Sequence, residues 1–286
     1  MTLDCRLLLK QFFFLRPYSF TGVLSIALLA SLFAQPFSSY SIFVDFAAAL
    51  LLWITAIFIG EYFHLKSDKR RLPFALLVFS VAAFFALAVF LEPKALILFV
   101  LMLALCLIYA NKSRIAFVSP FSFLVRGFLE VIIFLTVLLF HLHSFNALAA
   151  FWQPVTTIYL ITVSRNLVGD VRDVKYDKHS FPKQFGVKPS RAVAFALLAA
   201  TLAIVPSPSI LLPAIPVLLL LLCGAPSYLT HASFVASTFA IYLNYCAFLA
   251  GYDLLLTNLF YAGAALLITY FFTPRNANAD FKRLLK

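Results

Sequence analysis

Ten apolar stretches follow one another along this chain, and they decide what it can fold into. They cover approximately 17–35, 41–63, 73–91, 95–110, 121–142, 146–167, 189–206, 209–224, 229–250 and 254–272. Most approach the roughly 20 residues that a helix needs to cross a bilayer. Charged residues make up only 12% of the chain and hydrophobic ones 64%, a balance that a water-soluble fold of 286 residues could not hide from solvent. Only helices and closed barrels satisfy their backbone inside lipid, and no barrel-like alternation is present. The stretch at 229–250 is the weakest of the set, because it carries Tyr242, Asn244 and Tyr245. The expectation is an all-α, polytopic transmembrane bundle of nine to ten helices, forming one domain over 1–286.

Charge sets the orientation. Of the 22 Lys and Arg, only Lys94 falls on one side of the predicted topology, and the other 21 fall on the opposite side. By the positive-inside rule the N-terminus and the even loops are cytosolic, which points to the cell (inner) membrane. A net charge of +11 then follows from topology and contact with anionic membrane lipids, and no nucleic-acid partner is needed to explain it. Cys5, Cys106, Cys223 and Cys246 have neither metal-ligand nor redox spacing and read as small hydrophobes. No signal peptide is expected, since the N-terminus lacks a short apolar core with a small-residue cleavage site.

Two polar segments resemble each other. GEYFHLKSDK begins at Gly60 and GDVRDVKYDK at Gly169, so Glu61, His64 and Asp68 stand opposite Asp170, Asp173 and Asp177. Four predicted helices separate the copies, which puts both on the same side of the membrane. This is the pattern of two parallel four-helix repeats, about 17–110 and 121–224, with the remaining helices C-terminal.

Spacings of three and four put Asp170, Asp173 and Asp177 on one face if the helix continues out of the membrane. Like charges so placed repel each other unless a cation joins them. Converging carboxylates suit a hard cation such as Mg²⁺, which takes oxygen ligands and often shares its shell with substrate phosphates. Asp170 and Asp173 from one copy, with Glu61 and Asp68 from the other, are the candidate metal ligands. His64, Lys69, Arg70, Lys178 and Lys183 are candidates to contact the remaining oxygens of a diphosphate. The bland alternative is a solvated charged face with no chemistry.

At these residues the sequence resembles the UbiA superfamily of intramembrane prenyltransferases, which carry two aspartate-rich motifs. DVRDVKYD, from Asp170 to Asp177, matches the second motif, D-x-x-D-x-x-x-D, in full. SFPKQFG, from Ser180 to Gly186, looks like a variant of the stretch that follows it, and Arg16-Pro17, Tyr109 and Lys112 are similar to family positions. In the first motif, Gly60, Glu61 and His64 replace Asn, Asp and Asp, and Asp68 keeps its identity. The loop that follows is short, since Arg71-Leu72-Pro73 leads almost directly into the next helix. The resemblance implies a bundle around a central cavity open to the membrane. It further implies an isoprenyl diphosphate bound through Mg²⁺, with Asp170, Asp173 and Asp177 as catalytic acids and Lys112 among the diphosphate contacts. The prenyl group then moves to a lipophilic or membrane-bound acceptor.

Arg126 and Glu130 lie four residues apart inside the fifth stretch. They form either a neutralising pair along the helix or a polar contact for the acceptor. Two rival functions remain open at this point. One is a degenerate family member that binds or cyclises prenyl lipids without transfer. The other is a transporter, which would place its acids near the membrane midplane rather than at the helix ends.

Overall fold

A computed structural model describes residues 17–34, 39–62, 71–115, 118–176, 180–252 and 258. Its helices are α1 (Pro17–Ala34), α2 (Ser39–Tyr62), α3 (Arg71–Leu91), α4 (Ala95–Ala110), α5 (Ser122–Leu142) and α6 (Trp152–Arg172). They continue with the short α7 (Phe181–Phe185), α8 (Val187–Ala200), α9 (Ile215–Leu222) and α10 (Ser227–Leu249). A helical turn at Phe145–Leu148 leads into α6, and 3₁₀ segments at Thr201–Ala203 and Pro208–Ala214 extend α8 and precede α9. Among the described residues nine of the ten predicted spans appear as helix. The stretch at 254–272 lies outside them apart from Asn258.

Five helical segments are long and apolar enough to cross a membrane: Tyr40–Ile59, Phe74–Leu91, Ser122–Leu142, Phe145–Arg172 and Ser227–Leu249. Gly22–Ala34, Ala95–Ala110 and Pro208–Leu222 are apolar but shorter. The protein is an integral membrane helical bundle. α5 and α10 are 72% buried over their apolar windows while α3 is only 17% buried, so the first two form the centre and α3 faces lipid. Lipid is as apolar as leucine, so helices associate in it through close approach and polar contacts. Small residues accordingly fill much of the interior, including fully buried Ala27 and Ala30 of α1 and Ala48 and Ala49 of α2. Tyr242, Asn244 and Tyr245 made the 229–250 stretch look weak as a span. All three are buried, so the polar side chains of α10 face the bundle interior.

Contacts between helix ends order the two faces of the bundle. Near the end of α1, Ser31 Oγ lies 2.6 Å from Asp45 Oδ2, close to the start of α2. His141 Nε2, at the end of α5, lies 2.8 Å from the same oxygen. These residues mark one end, here the far end. At the other, the motif end, the start of α5 meets the ends of α4 and α6. Because α2 begins at the far end, it finishes at the motif end, with Gly60 and Glu61 in its last turn. Both copies of the repeated segment therefore start from the same end of the bundle.

Lys94, the one exception to the charge count, has local partners at the far end. Its Nζ donates to the His143 carbonyl at 2.6 Å and lies 3.9 Å from Glu92 Oε1. His143 Nδ1 is 2.8 Å from Glu92 Oε2, so one acid and one lysine hold both the backbone and the ring of the residue that caps α5.

Candidate active site

α6 runs five residues past its predicted end. The apolar stretch stops at 167, but the helix continues to Arg172, and the Asp173 N–H closes it by donating to the Gly169 carbonyl at 3.0 Å. Asp170 is thus helical, and Asp173 is the cap. Residues 173–176 form a turn, so the helix on which the shared face was expected stops at the second acid. Asp177 and Lys178 lie outside the described residues, as do His64, Asp68, Lys69 and Arg70, and the side chain of Glu61.

Each described acid of the motif meets an arginine. Arg126 Nη2 donates to Asp170 Oδ1 at 2.5 Å and to the Asn166 carbonyl at 3.3 Å. Arg172 forks onto Asp173, with Nε at 3.0 Å from Oδ1 and Nη2 at 2.7 Å from Oδ2. Two parallel donors on one carboxylate fix its orientation as well as its charge. The Arg126 guanidinium also lies 5.3 Å from the centre of the Tyr109 ring, and Lys112 Nζ lies 5.2 Å from it. Lys112, Tyr109, Arg126 and Asp170 therefore form one neighbourhood drawn from α4 and the 3₁₀ turn after it (Lys112–Arg114), α5 and α6. Lys183 stands apart, exposed on α7 and making no ion pair with a described acid. α7 is seated by aromatic contacts, with Phe181 5.5 Å from Phe123 and 6.0 Å from Phe121 between ring centres.

The pairing along α5 does not form. Arg126 turns to Asp170, and Glu130 accepts instead from Arg165 of α6 and from the Thr162 hydroxyl at 2.7 Å. Close packing of α5 on α6 makes this crossed arrangement possible. A Cβ added at Gly127 would lie 2.4 Å from Val163 Cγ2, a separation that real side chains do not reach. Gly127 thus sets the distance at which Arg126 and Glu130, on either side of it, reach α6 rather than each other. Glu130 is buried, and Tyr242 of α10 lies behind it, its hydroxyl 3.4 Å from Thr162 Oγ1.

Arg165, Arg172, Thr162, Tyr242 and His231 are site neighbours that are not among the sequence-derived candidates. Arg165 carries a usable signal: it lies within a stretch long enough to span, and ionisable groups there mark polar sites. His231 offered no such signal, as a lone histidine in an ordinary helix.

This site defines a class: a helical membrane protein with acids and arginines gathered at one end of the bundle. The fold is that of the UbiA homologues. One from Aeropyrum pernix K1, in its apo form, superposes with a TM-score of 0.59 at 18% identity, over 88% of this chain and 96% of that one. A homologue from Archaeoglobus fulgidus bound to Cd²⁺ superposes with a TM-score of 0.52 at 15% identity, over 82% and 99%. No family model and no curated protein matches the sequence.

Proposed function

We propose that this chain is a prenyltransferase of the UbiA type, moving a prenyl group from an isoprenyl diphosphate to a lipophilic or membrane-bound acceptor with the help of Mg²⁺. One observation carries the reading. The complete D-x-x-D-x-x-x-D motif sits on a UbiA fold, with its first two acids among Arg126, Arg172, Lys112 and Tyr109.

The donor type fits a hard divalent cation, since Asp170 and Asp173 are carboxylates about one helical turn apart. Among the described residues no third His, Cys, Asp or Glu joins them. Asp177, Glu61, Asp68 and the diphosphate oxygens would supply the rest of the shell. When bound, the ion would neutralise charge on the departing diphosphate. Arg126 adds a fixed cation beside Asp170, and Lys112, over the Tyr109 ring that Arg126 also meets, adds a second one nearby, where negative charge grows as the allylic bond breaks. His64, Lys69, Arg70, Lys178 and Lys183 are the further candidates for diphosphate oxygens. Arg126 is also the candidate contact for the acceptor, with Glu130 acting through Arg165 and Thr162 beneath it.

The altered first motif favours a second reading. Gly60, Glu61 and His64 give that half-site one acid fewer, which fits a member that binds prenyl diphosphates or cyclises them without transfer. Purified protein with Mg²⁺ and labelled prenyl diphosphates of several lengths separates the two. Labelled lipid adducts identified by mass spectrometry support transfer, and bound but unconverted label supports the second reading. Absence of both binding and turnover contradicts both. On the transfer reading, His64→Asp lowers the Mg²⁺ concentration needed for half-maximal binding, because it restores a negative oxygen ligand.

The motif end faces the cytosol in this proposal, following the positive-inside distribution. Cysteines placed at Ser67 and at the exposed Gln184 should be labelled from the cytosolic side and one at Ser144 from the other. Labelling of positions 67 and 184 from opposite sides would break the shared site.

A further inference from the structure

The second motif is held by more than its own helix. Arg172 has a third partner besides the two oxygens of Asp173: its Nη1 lies 2.9 Å from Nδ1 of His231, one turn into α10. A guanidinium only donates, so Nδ1 is the acceptor and the ring proton sits on Nε2. The other edge of the ring lies against α6. A Cβ built on Gly169 would come within 3.3 Å of both Cδ2 and Nε2 of His231. The ring is thus clamped between the Gly169 backbone and Arg172. The side chain of Arg172 is 7% exposed and that of Asp173 15%, so neither relies on solvent for its orientation.

The geometry points to His231 as a positioning residue for Asp173, acting through Arg172, an assignment that rests on the diphosphate reading above. The physical reason lies in where the motif ends. Asp173 caps α6, at the point where helical hydrogen bonding stops and the chain enters a turn. A side chain there has several orientations open to it. The Arg172 fork selects one of them, but an arginine has four side-chain torsions of its own and also needs fixing. His231 supplies that constraint from a separate and deeply buried helix. Partners that orient a metal ligand without touching the metal commonly change its affinity by about 10–100-fold. Gly169, the first residue of the repeated segment, then has a role beyond helix packing, since its missing side chain leaves room for the ring.

The test uses the full-length protein in detergent with inorganic diphosphate as the probe. The quantity measured is the Mg²⁺ concentration giving half-maximal thermal stabilisation. His231→Leu removes the acceptor and should raise that concentration by about tenfold. His231→Asn puts an oxygen close to the position of Nδ1, so it should return the value most of the way to wild type. A purely structural role would lower the midpoint measured without metal and leave the Mg²⁺ requirement unchanged. Should His231→Leu fail to fold, Gly169→Ala decides the matter. It crowds the ring and shifts it by a few tenths of an ångström while keeping every hydrogen-bonding group, and it should also raise the requirement. A wild-type Mg²⁺ requirement in His231→Leu, or in Gly169→Ala where that variant decides, overturns the assignment. So does an Asn variant as impaired as the Leu one. If the wild type itself shows no Mg²⁺-dependent stabilisation by diphosphate, the diphosphate reading fails and this assignment falls with it.

Discussion

The two ends of the bundle solve the same electrostatic problem with different partners. At the motif end, Asp170, Asp173 and Glu130 are matched to Arg126, Arg172 and Arg165. At the far end, Asp45 and Glu92 are matched to His141 and His143. A guanidinium stays charged at any working pH and offers a rigid fork of donors. An imidazole is smaller, and it donates or accepts according to its tautomer. The motif end is therefore built to hold acids paired and oriented, which suits the proposed diphosphate and metal site. The far end is built to tie helices together: α1, α2 and α5 through Asp45, and the α3–α4 connection to the cap of α5 through Glu92.

The largest effect should come from breaking the deepest arginine pair. Glu130→Ala leaves Arg165 buried without its carboxylate, and losing one partner of a buried pair typically costs about 3–5 kcal/mol. Unfolding in mixed micelles would measure it. The double variant Glu130→Leu, Arg165→Met removes both charges and should recover much of the loss. Equal destabilisation in the single and double variants would show that packing around Tyr242, rather than charge, holds this region.

A smaller effect is expected at the far end. Asp45→Ala removes an acceptor shared by Ser31 and His141, but the Ser31 hydroxyl keeps the Ala27 carbonyl at 2.8 Å and the His141 side chain is 18% exposed. The loss should therefore be near that of one hydrogen bond to a charged group, about 1.5–3 kcal/mol. If Asp45→Ala destabilised more than Glu130→Ala, the contrast drawn between the two ends would be reversed.

The smallest effect concerns Glu92 and depends on pH. Burial pushes its carboxyl up, but the His143 hydrogen bond, the Lys94 N–H and the charges of Lys94 and His143 outweigh that and hold it below its ordinary 4.5. A depressed carboxylate stabilises the fold above its unfolded value and loses that contribution as pH falls through the folded one. Glu92→Gln should therefore cost a little stability at neutral pH and converge with wild type as pH drops below 4.5. Parallel stability curves for the two proteins would mean that Glu92 contributes no charge-dependent stability.

The fold was largely legible because lipid leaves a chain few choices: long apolar stretches must be helices, and their charged ends must face water. The second motif was legible because its acids are local in sequence. Their partners were not, because those depend on how helices approach each other. Gly127 brings α5 onto α6 and redirects Arg126 and Glu130 across the interface, where sequence spacing alone suggested a pair along α5. Arg165 was hidden by the hydropathy boundary at 167, since a charge near the end of an apolar run reads as the start of a loop. The roles of His231 and Gly169 emerge only from the packing of α10 against α6.

The most direct test of the central claim is the turnover of Asp170→Asn and Asp173→Asn with Mg²⁺ and a prenyl diphosphate that the wild type converts. Each change removes a charged oxygen and alters volume very little. Turnover should fall about 10²-fold or more in each, and Mg²⁺-dependent diphosphate binding should fall with it. Wild-type rates in both variants would mean that these acids are a solvated, arginine-paired face with no part in the chemistry.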